Sequence, residues 1–139
     1  MIVLDTNVVS ALMRVLPDKA LLDWVDDQPS SSLWTTSITV MEIRFGLEIL
    51  PAGRRREAMT ESFEAMLESK IEGRVASFDS AAARCAAELM ALRRVKGRPV
   101  ELNDTMIAGI VVSTRATLAT RNTSEFEDLS LPVVNPWKD

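Results

Sequence analysis

The sequence predicts an α/β fold with a mostly parallel sheet, and three of its features carry that expectation. Short apolar runs rich in β-branched residues alternate with longer stretches of helical periodicity. The first run, Met1–Leu4, stops abruptly at the capping residues Asp5-Thr6-Asn7. No repeat, low-complexity tract or linker divides the 139 residues, so a single domain spanning 1–139 with right-handed crossovers is expected.

Taken in order, Met1–Leu4 reads as a buried first strand. Val8–Arg14 is a short helix stopped near Pro17. A second helix, Asp18–Asp27, turns Leu21, Leu22 and Val25 inward, with Trp24 beside them. After a loop of Pro and Ser, Leu33–Thr36 is the second strand. Thr39-Val40-Met41-Glu42 opens a helix to about Leu50, with Met41, Phe45 and Leu47–Ile49 on apolar positions. Pro51-Ala52-Gly53 separates it from Arg54–Ser69, whose Met59, Phe63, Met66 and Leu67 repeat with a 3.6-residue period. Arg74–Phe78 is a third strand. Asp79-Ser80 caps an alanine-rich helix that ends at Gly97, where a left-handed residue is expected. Arg98–Leu102 is an extended connection. Asn103-Asp104 then caps Thr105–Ser113, a helix so apolar on every face that it must be central. Thr117–Thr120 and Leu131–Val134 complete the strands.

Composition narrows the chemistry. With 16 basic and 20 acidic residues the net charge is −4, which does not suit a general polyanion binder. There is no histidine and no tyrosine, and Cys85 is the single cysteine. Ser-His-Asp and Cys-His nucleophiles, His-pair ribonuclease chemistry, His-ligated zinc, Cys-rich metal sites and disulfide frameworks are thereby excluded. Carboxylates, amides, hydroxyls and Arg/Lys are what remain. The opening residues lack the basic start and cleavage site of a secretory signal, and the apolar run Ile107–Val112 is far short of the roughly 20 residues of a membrane span. A cytoplasmic protein that makes no membrane contact is expected, and one free thiol suits that compartment.

The acids are distributed so that the topology gathers them. Ligands of open parallel sheets bind at the carboxyl ends of the strands. Asp5 ends strand one, the helix bearing Glu42 follows strand two, and the helix starting at Asp104 returns from that edge to feed strand four. Strand four then delivers Thr120-Arg121-Asn122-Thr123-Ser124-Glu125 to the same rim. Each position also has an ordinary explanation: Thr39-x-x-Glu42 and Asn122-x-x-Glu125 fit capping boxes, Asn103 is a good N-cap, and Asp104 suits a helix dipole. Jointly they do not, because two carboxylates about 4 Å apart repel by about 1–4 kcal/mol. Asp79 stands apart and reads as a cap alone.

The segment Met1-Ile-Val-Leu-Asp5-Thr-Asn7 resembles the start of PIN-domain nucleases, the toxin half of VapBC-type toxin–antitoxin pairs. The similarity continues through Ser37-Ile-Thr-Val-Met-Glu42-Ile-Arg-Phe-Gly46, Asn103-Asp104-Thr-Met-Ile-Ala108 and Leu118-Ala-Thr-Arg-Asn122, and Asn135-Pro136-Trp137 resembles the FitB-like subgroup. It spans essentially the whole chain, with four motifs in the right order. The resemblance implies a PIN-like three-layer fold, its central sheet of four to five strands flanked by about seven helices. It also implies a Mg²⁺- or Mn²⁺-dependent endoribonuclease that acts on RNA and forms homodimers. A small DNA-binding antitoxin of the VapB type would neutralise it and provide its only link to operator DNA.

Carried over residue by residue, Asp5, Glu42 and Asp104 match the family's three acids. Asn122 matches a fourth position where Asp is frequent; the amide lowers the site charge by one and weighs against a second tightly held ion. Thr6, Asn7 and Thr120 fall on polar supporting positions. An oxygen-only donor set suits a hard cation. Asp5 and Asp104 are assigned to the metal, Glu42 to the metal or to proton abstraction, and Asn122 to a coordinated water or a second ion.

Arg121 is the candidate phosphate contact, whereas Arg54-Arg55-Arg56 and Arg93-Arg94-x-Lys96-x-Arg98 read as solvated faces. Trp24, Trp34 and Phe45 read as core, and the Met41/Phe45 stripe with the first two helices offers an alternative, a groove for an antitoxin segment. Two rival functions remain: a non-catalytic PIN-like adaptor, and a phosphoacceptor receiver using Asp5 and Asp79. Acid clustering carries one further expectation, that Asp5→Asn raises the melting temperature of the metal-free protein.

Overall fold

Five parallel strands, β1 (Ile2–Leu4), β2 (Leu33–Thr36), β3 (Val75–Ala76), β4 (Thr117–Ala119) and β5 (Val133–Val134), lie in the order β3-β2-β1-β4-β5. This is the arrangement in a computed structural model that describes residues 1–99 and 101–138. Three crossovers are helix pairs: α1 (Thr6–Leu12) with α2 (Lys19–Asp27), α3 (Ser37–Glu48) with α4 (Arg54–Ser69), and α5 (Ser80–Val95) with α6 (Leu102–Thr114). Two 3₁₀ turns, Ser30–Ser32 and Thr123–Phe126, bring the helical content of the described residues to six α-helices and two short turns.

β1 is the central strand, with Ile2 registered against both Leu33 and Thr117. Successive strand residues point to opposite faces, so Leu4 and Val3 enter different cores. Leu4 packs with Val8, Leu21, Val25, Phe63 and Ile71 on one side of the sheet. Val3 packs with Ile107, Ile110, Val111, Leu118 and Phe126 on the other. Helices cover both faces and give the three-layer architecture. In α6, Ile107 to Val111 are all buried, as its apolar composition requires. Close approach of α5 is possible because Gly109 faces it: a Cβ there would meet the Ala82 carbonyl oxygen at 2.6 Å.

Several boundaries move for local reasons. α3 begins two residues before Thr39, because Thr36 is the N-cap and its hydroxyl accepts from the Thr39 N–H. α6 begins at Leu102 with Glu101 as cap, which puts Asn103 and Asp104 in its first turn. Leu102 is therefore helical, and of the expected connection 98–102, residue 100 lies outside the described residues. Asp79 caps α5 through the Ala82 N–H, and Gly97 adopts φ 69°, both as the sequence indicates. Trp24 and Trp34 are partly buried against the cores. Phe45 does not join them: it is 65% exposed, in line with Met41 and Ile49 on the outer face of α3. Arg93, expected in a solvated run, is 2% exposed. The strand order excludes the receiver reading, which requires 2-1-3-4-5 with β3 inside the sheet. No described helix is long and apolar enough to cross a membrane.

Candidate functional site

The strand order reverses between β1 and β4, and the residues that leave their carboxyl ends are Asp5 and Thr120. β-Pairing continues just past the strands, with the Asp5 N–H donating to Ala119 O at 2.9 Å and the Thr120 N–H to Val134 O at 2.9 Å. Asp5 is also the N-cap of α1, its Oδ1 accepting from the Thr6 N–H at 2.8 Å. Its Oδ2 accepts from the Thr120 hydroxyl at 2.7 Å and from Asn7 Nδ2 at 3.3 Å. Asn7 Nδ2 also reaches Thr120 Oγ1 at 3.1 Å, and Asn7 Oδ1 accepts from the Arg121 N–H at 3.1 Å. Thr6 and Asn7 at the start of α1 and Thr120 and Arg121 after β4 are thus tied around the carboxylate of Asp5, a residue that is 4% exposed.

Glu42 joins through Thr6, whose hydroxyl donates to Glu42 Oε1 at 2.9 Å. That hydroxyl proton being committed, the 3.0 Å link between Thr6 and Thr39 runs with Thr39 as donor. Thr36 in turn donates to Thr39 at 3.3 Å. The result is a directed relay from the buried end of β2 to the Glu42 carboxylate. Sequence reading paired Thr39 with Glu42 as a capping box and missed this use of Thr36 and Thr39. Thr36 caps α3 and belongs to the relay at once, and both threonines are fully buried beside the strand end.

Asp104 is half-buried in the first turn of α6. Among the described residues no hydrogen bond is made to its carboxylate. Burial, and then the charges of Asp5, Glu42, Glu101 and Glu125, push its pKa up to about 6. Asp5 is raised as well, by burial first, against the opposing hydrogen bonds of Thr120 and Thr6; the Glu42 charge raises it further and Asn7 opposes. Asp5, Glu42 and Asp104 therefore lie in one electrostatic field. Among the described residues, however, no three His, Cys, Asp or Glu side chains are placed to hold a metal ion as they stand. Both statements hold together, because charges interact over distances much longer than a coordination bond.

Asn122 occupies the same rim through its backbone, the N–H donating to Thr120 Oγ1 at 3.1 Å, while the residue as a whole is exposed. The Arg121 guanidinium lies 3.8 Å over the Trp137 ring, so the C-terminal Trp fixes where that cation sits. Glu101, which sequence reading did not bring to the site, and Glu125, which it brought to the rim without a role in the site, act on Asp104 through their charge. Arg54 and Arg55 are exposed, and Arg56 pairs with Glu48 at 2.9 Å, away from this rim. An apolar groove begins at Thr6 and Glu42 and continues between Met13, Ile43, Leu47 and Met59. Met41 and Phe45 do not line it.

A PIN domain matches residues 2–130. The chain is 43% identical over 138 residues to the VapC ribonuclease Y4jK of Sinorhizobium fredii, covering 99% of each sequence. It is 31% identical over 139 residues to the toxin FitB of Neisseria gonorrhoeae, covering 100% of each. Among solved structures, FitAB bound to an IR36 DNA fragment superposes with a TM-score of 0.88 at 30% identity. That match covers 100% of this chain and 97% of the other.

Proposed function

This chain belongs to the PIN-domain family, and from that premise we propose that it is the toxin of a toxin–antitoxin pair and a Mg²⁺- or Mn²⁺-dependent endoribonuclease. The observation that carries this reading is the meeting of Asp5, Glu42 and Asp104 in one field at the carboxyl edge where the strand order reverses. Asp104, held up to about 6 by burial and then by the charges of its neighbours, is the group a hard cation would relieve, and every donor at hand is oxygen. The residues fit such an ion on charge and donor chemistry. Asp5 and Asp104 would hold it, with Glu42 as a further ligand or as the base.

When bound, the ion supplies Lewis acidity toward the phosphodiester and a water more easily deprotonated than in bulk. The remaining roles belong to the chain. Thr120, Thr6 and Asn7 fix both oxygens of Asp5, so its orientation is set before substrate arrives. The threonine relay aims the Thr6 hydroxyl at Oε1 of Glu42, leaving Oε2 to accept a proton from the attacking water. Arg121, exposed and stacked on Trp137, attracts the substrate phosphate to a defined place on the rim. Asn122 adds an amide in place of a fourth charge. The apolar groove leading from Glu42 suits an apolar segment of the antitoxin, which would block the rim while covering Met13, Ile43 and Leu47. Homodimer formation and operator binding through the antitoxin belong to the same reading, as does a cytoplasmic location.

The decisive experiment is RNA cleavage with Mg²⁺, with Mn²⁺ and with EDTA, using wild type and Asp104→Asn. Cleavage restricted to the metal-containing wild type is expected, with Asp104→Asn reduced at least about 100-fold and its circular dichroism unchanged. Asp104→Asn with full biological effect would favour the adaptor reading instead.

A further inference from the structure

The run Arg93-Arg94-x-Lys96-x-Arg98 does not behave as one solvated patch. Arg94 is exposed, but Arg93, in the last turn of α5, is 2% exposed and turns toward the segment after β4. Its Nε donates to Asp128 Oδ2 at 3.3 Å, and its Nη2 donates to Asp128 Oδ1 at 3.4 Å and to the Glu125 carbonyl oxygen. Arg98 reaches Asp128 Oδ1 at 3.2 Å, and Lys96 donates to the Asp128 carbonyl at 3.0 Å. Asp128 is itself almost buried, with its side chain 7% exposed. Three cations at one helix end thus converge on two residues of a short turn, Glu125 and Asp128. A guanidinium is costly to bury and is held where its forked geometry specifies a position.

That turn begins at Asn122 and carries Glu125. Its first end is fixed by the Thr120 hydroxyl, which also holds Asp5, and by Asn7. Phe126 and Leu129 seat it in the core beneath. Apolar contacts set its depth; the directional bonds from Arg93 set its rotation, and so where Asn122 and Glu125 stand relative to Asp104.

We infer that Arg93 is a positioning residue, acting through the 122–128 turn on the rim of the site; its kinetic consequence rests on the ribonuclease reading above. Arg93→Met keeps the volume and removes the donors, and Asp128→Asn is a milder second variant should the first fail to fold. In either, amide hydrogen exchange of residues 121–128 is expected to accelerate more than tenfold while β1 and α6 keep their protection. Under Mg²⁺, kcat is expected to fall about tenfold with KM for RNA changed less than twofold. With Asn122→Ala and Glu125→Ala already present, Arg93→Met should lower kcat no further. Arg93→Lys should recover part of the loss. Exchange that accelerates across the whole sheet, or an equal kcat loss in both backgrounds, overturns the proposal. If wild type does not cleave RNA the ribonuclease reading fails separately, and the exchange measurement alone still decides whether Arg93 holds the turn.

Discussion

The two aspartates at the reversal point live under opposite regimes. Asp5 is buried more deeply but is held by three donors from α1 and β4; Asp104 is less buried and has none among the described residues. Both carboxyls are raised, yet only for Asp5 does anything oppose the rise. Burial alone therefore does not rank the acids of a site. Asp5 is a finished anchor. Asp104 is held in place by its helix against the charge of its neighbours, and it is the member that a cation would change most.

The largest stability effect should come from breaking the Asp5 side. Thr120→Val removes a fully buried hydroxyl that donates to Asp5 and accepts from Asn7 and from the Asn122 N–H. A loss of about 2 kcal/mol in urea unfolding is expected, because buried polar groups lose their partners. An unaffected midpoint would mean that Asp5 does not depend on this network.

Asp104 should behave in the opposite sense, and with a definite pH dependence. Its folded pKa, about 6, lies above the ordinary 3.8, so the folded state binds its proton more tightly than the unfolded chain. The favourable contribution is complete below about pH 4 and is lost as pH rises through about 6. In EDTA, Asp104→Asn should therefore match wild type near pH 4 and exceed it by about 1–2 kcal/mol at pH 7.5, after allowing for solvent screening. A difference independent of pH would show that neither burial nor the neighbouring charges raise the Asp104 carboxyl. The structure also changes the choice of probe. Asp5→Asn is a poor test of repulsion, because it places an amide group among donors that suit a carboxylate.

The smallest effect sharpens the contrast. Millimolar Mg²⁺ should stabilise wild type by ~1 kcal/mol if its Kd is near millimolar, and Asp104→Asn by much less. Equal stabilisation of both proteins in thermal melts would place the ion elsewhere.

Much of this was legible before any coordinates. Asp5, Asp79 and Gly97 announce themselves because caps and left-handed residues obey local rules. The apolar composition of 105–113 already required a central helix. The Thr36–Thr39–Thr6 relay, the outward Phe45 and the inward Arg93 were not legible. Each depends on which element lies opposite, and neither periodicity nor charge runs contain that information.

The sequence by itself determined the alternation of strands and helices, the chemistry left after histidine and tyrosine are excluded, and the acids available. Capping, periodicity and donor type are properties of residues and their near neighbours. Tertiary structure alone decided that, among the described residues, Asp5 receives three donors and Asp104 none, and which arginine of a basic run is buried. Hydrogen bonds and desolvation depend on groups brought together from positions as far as 115 residues apart in the chain.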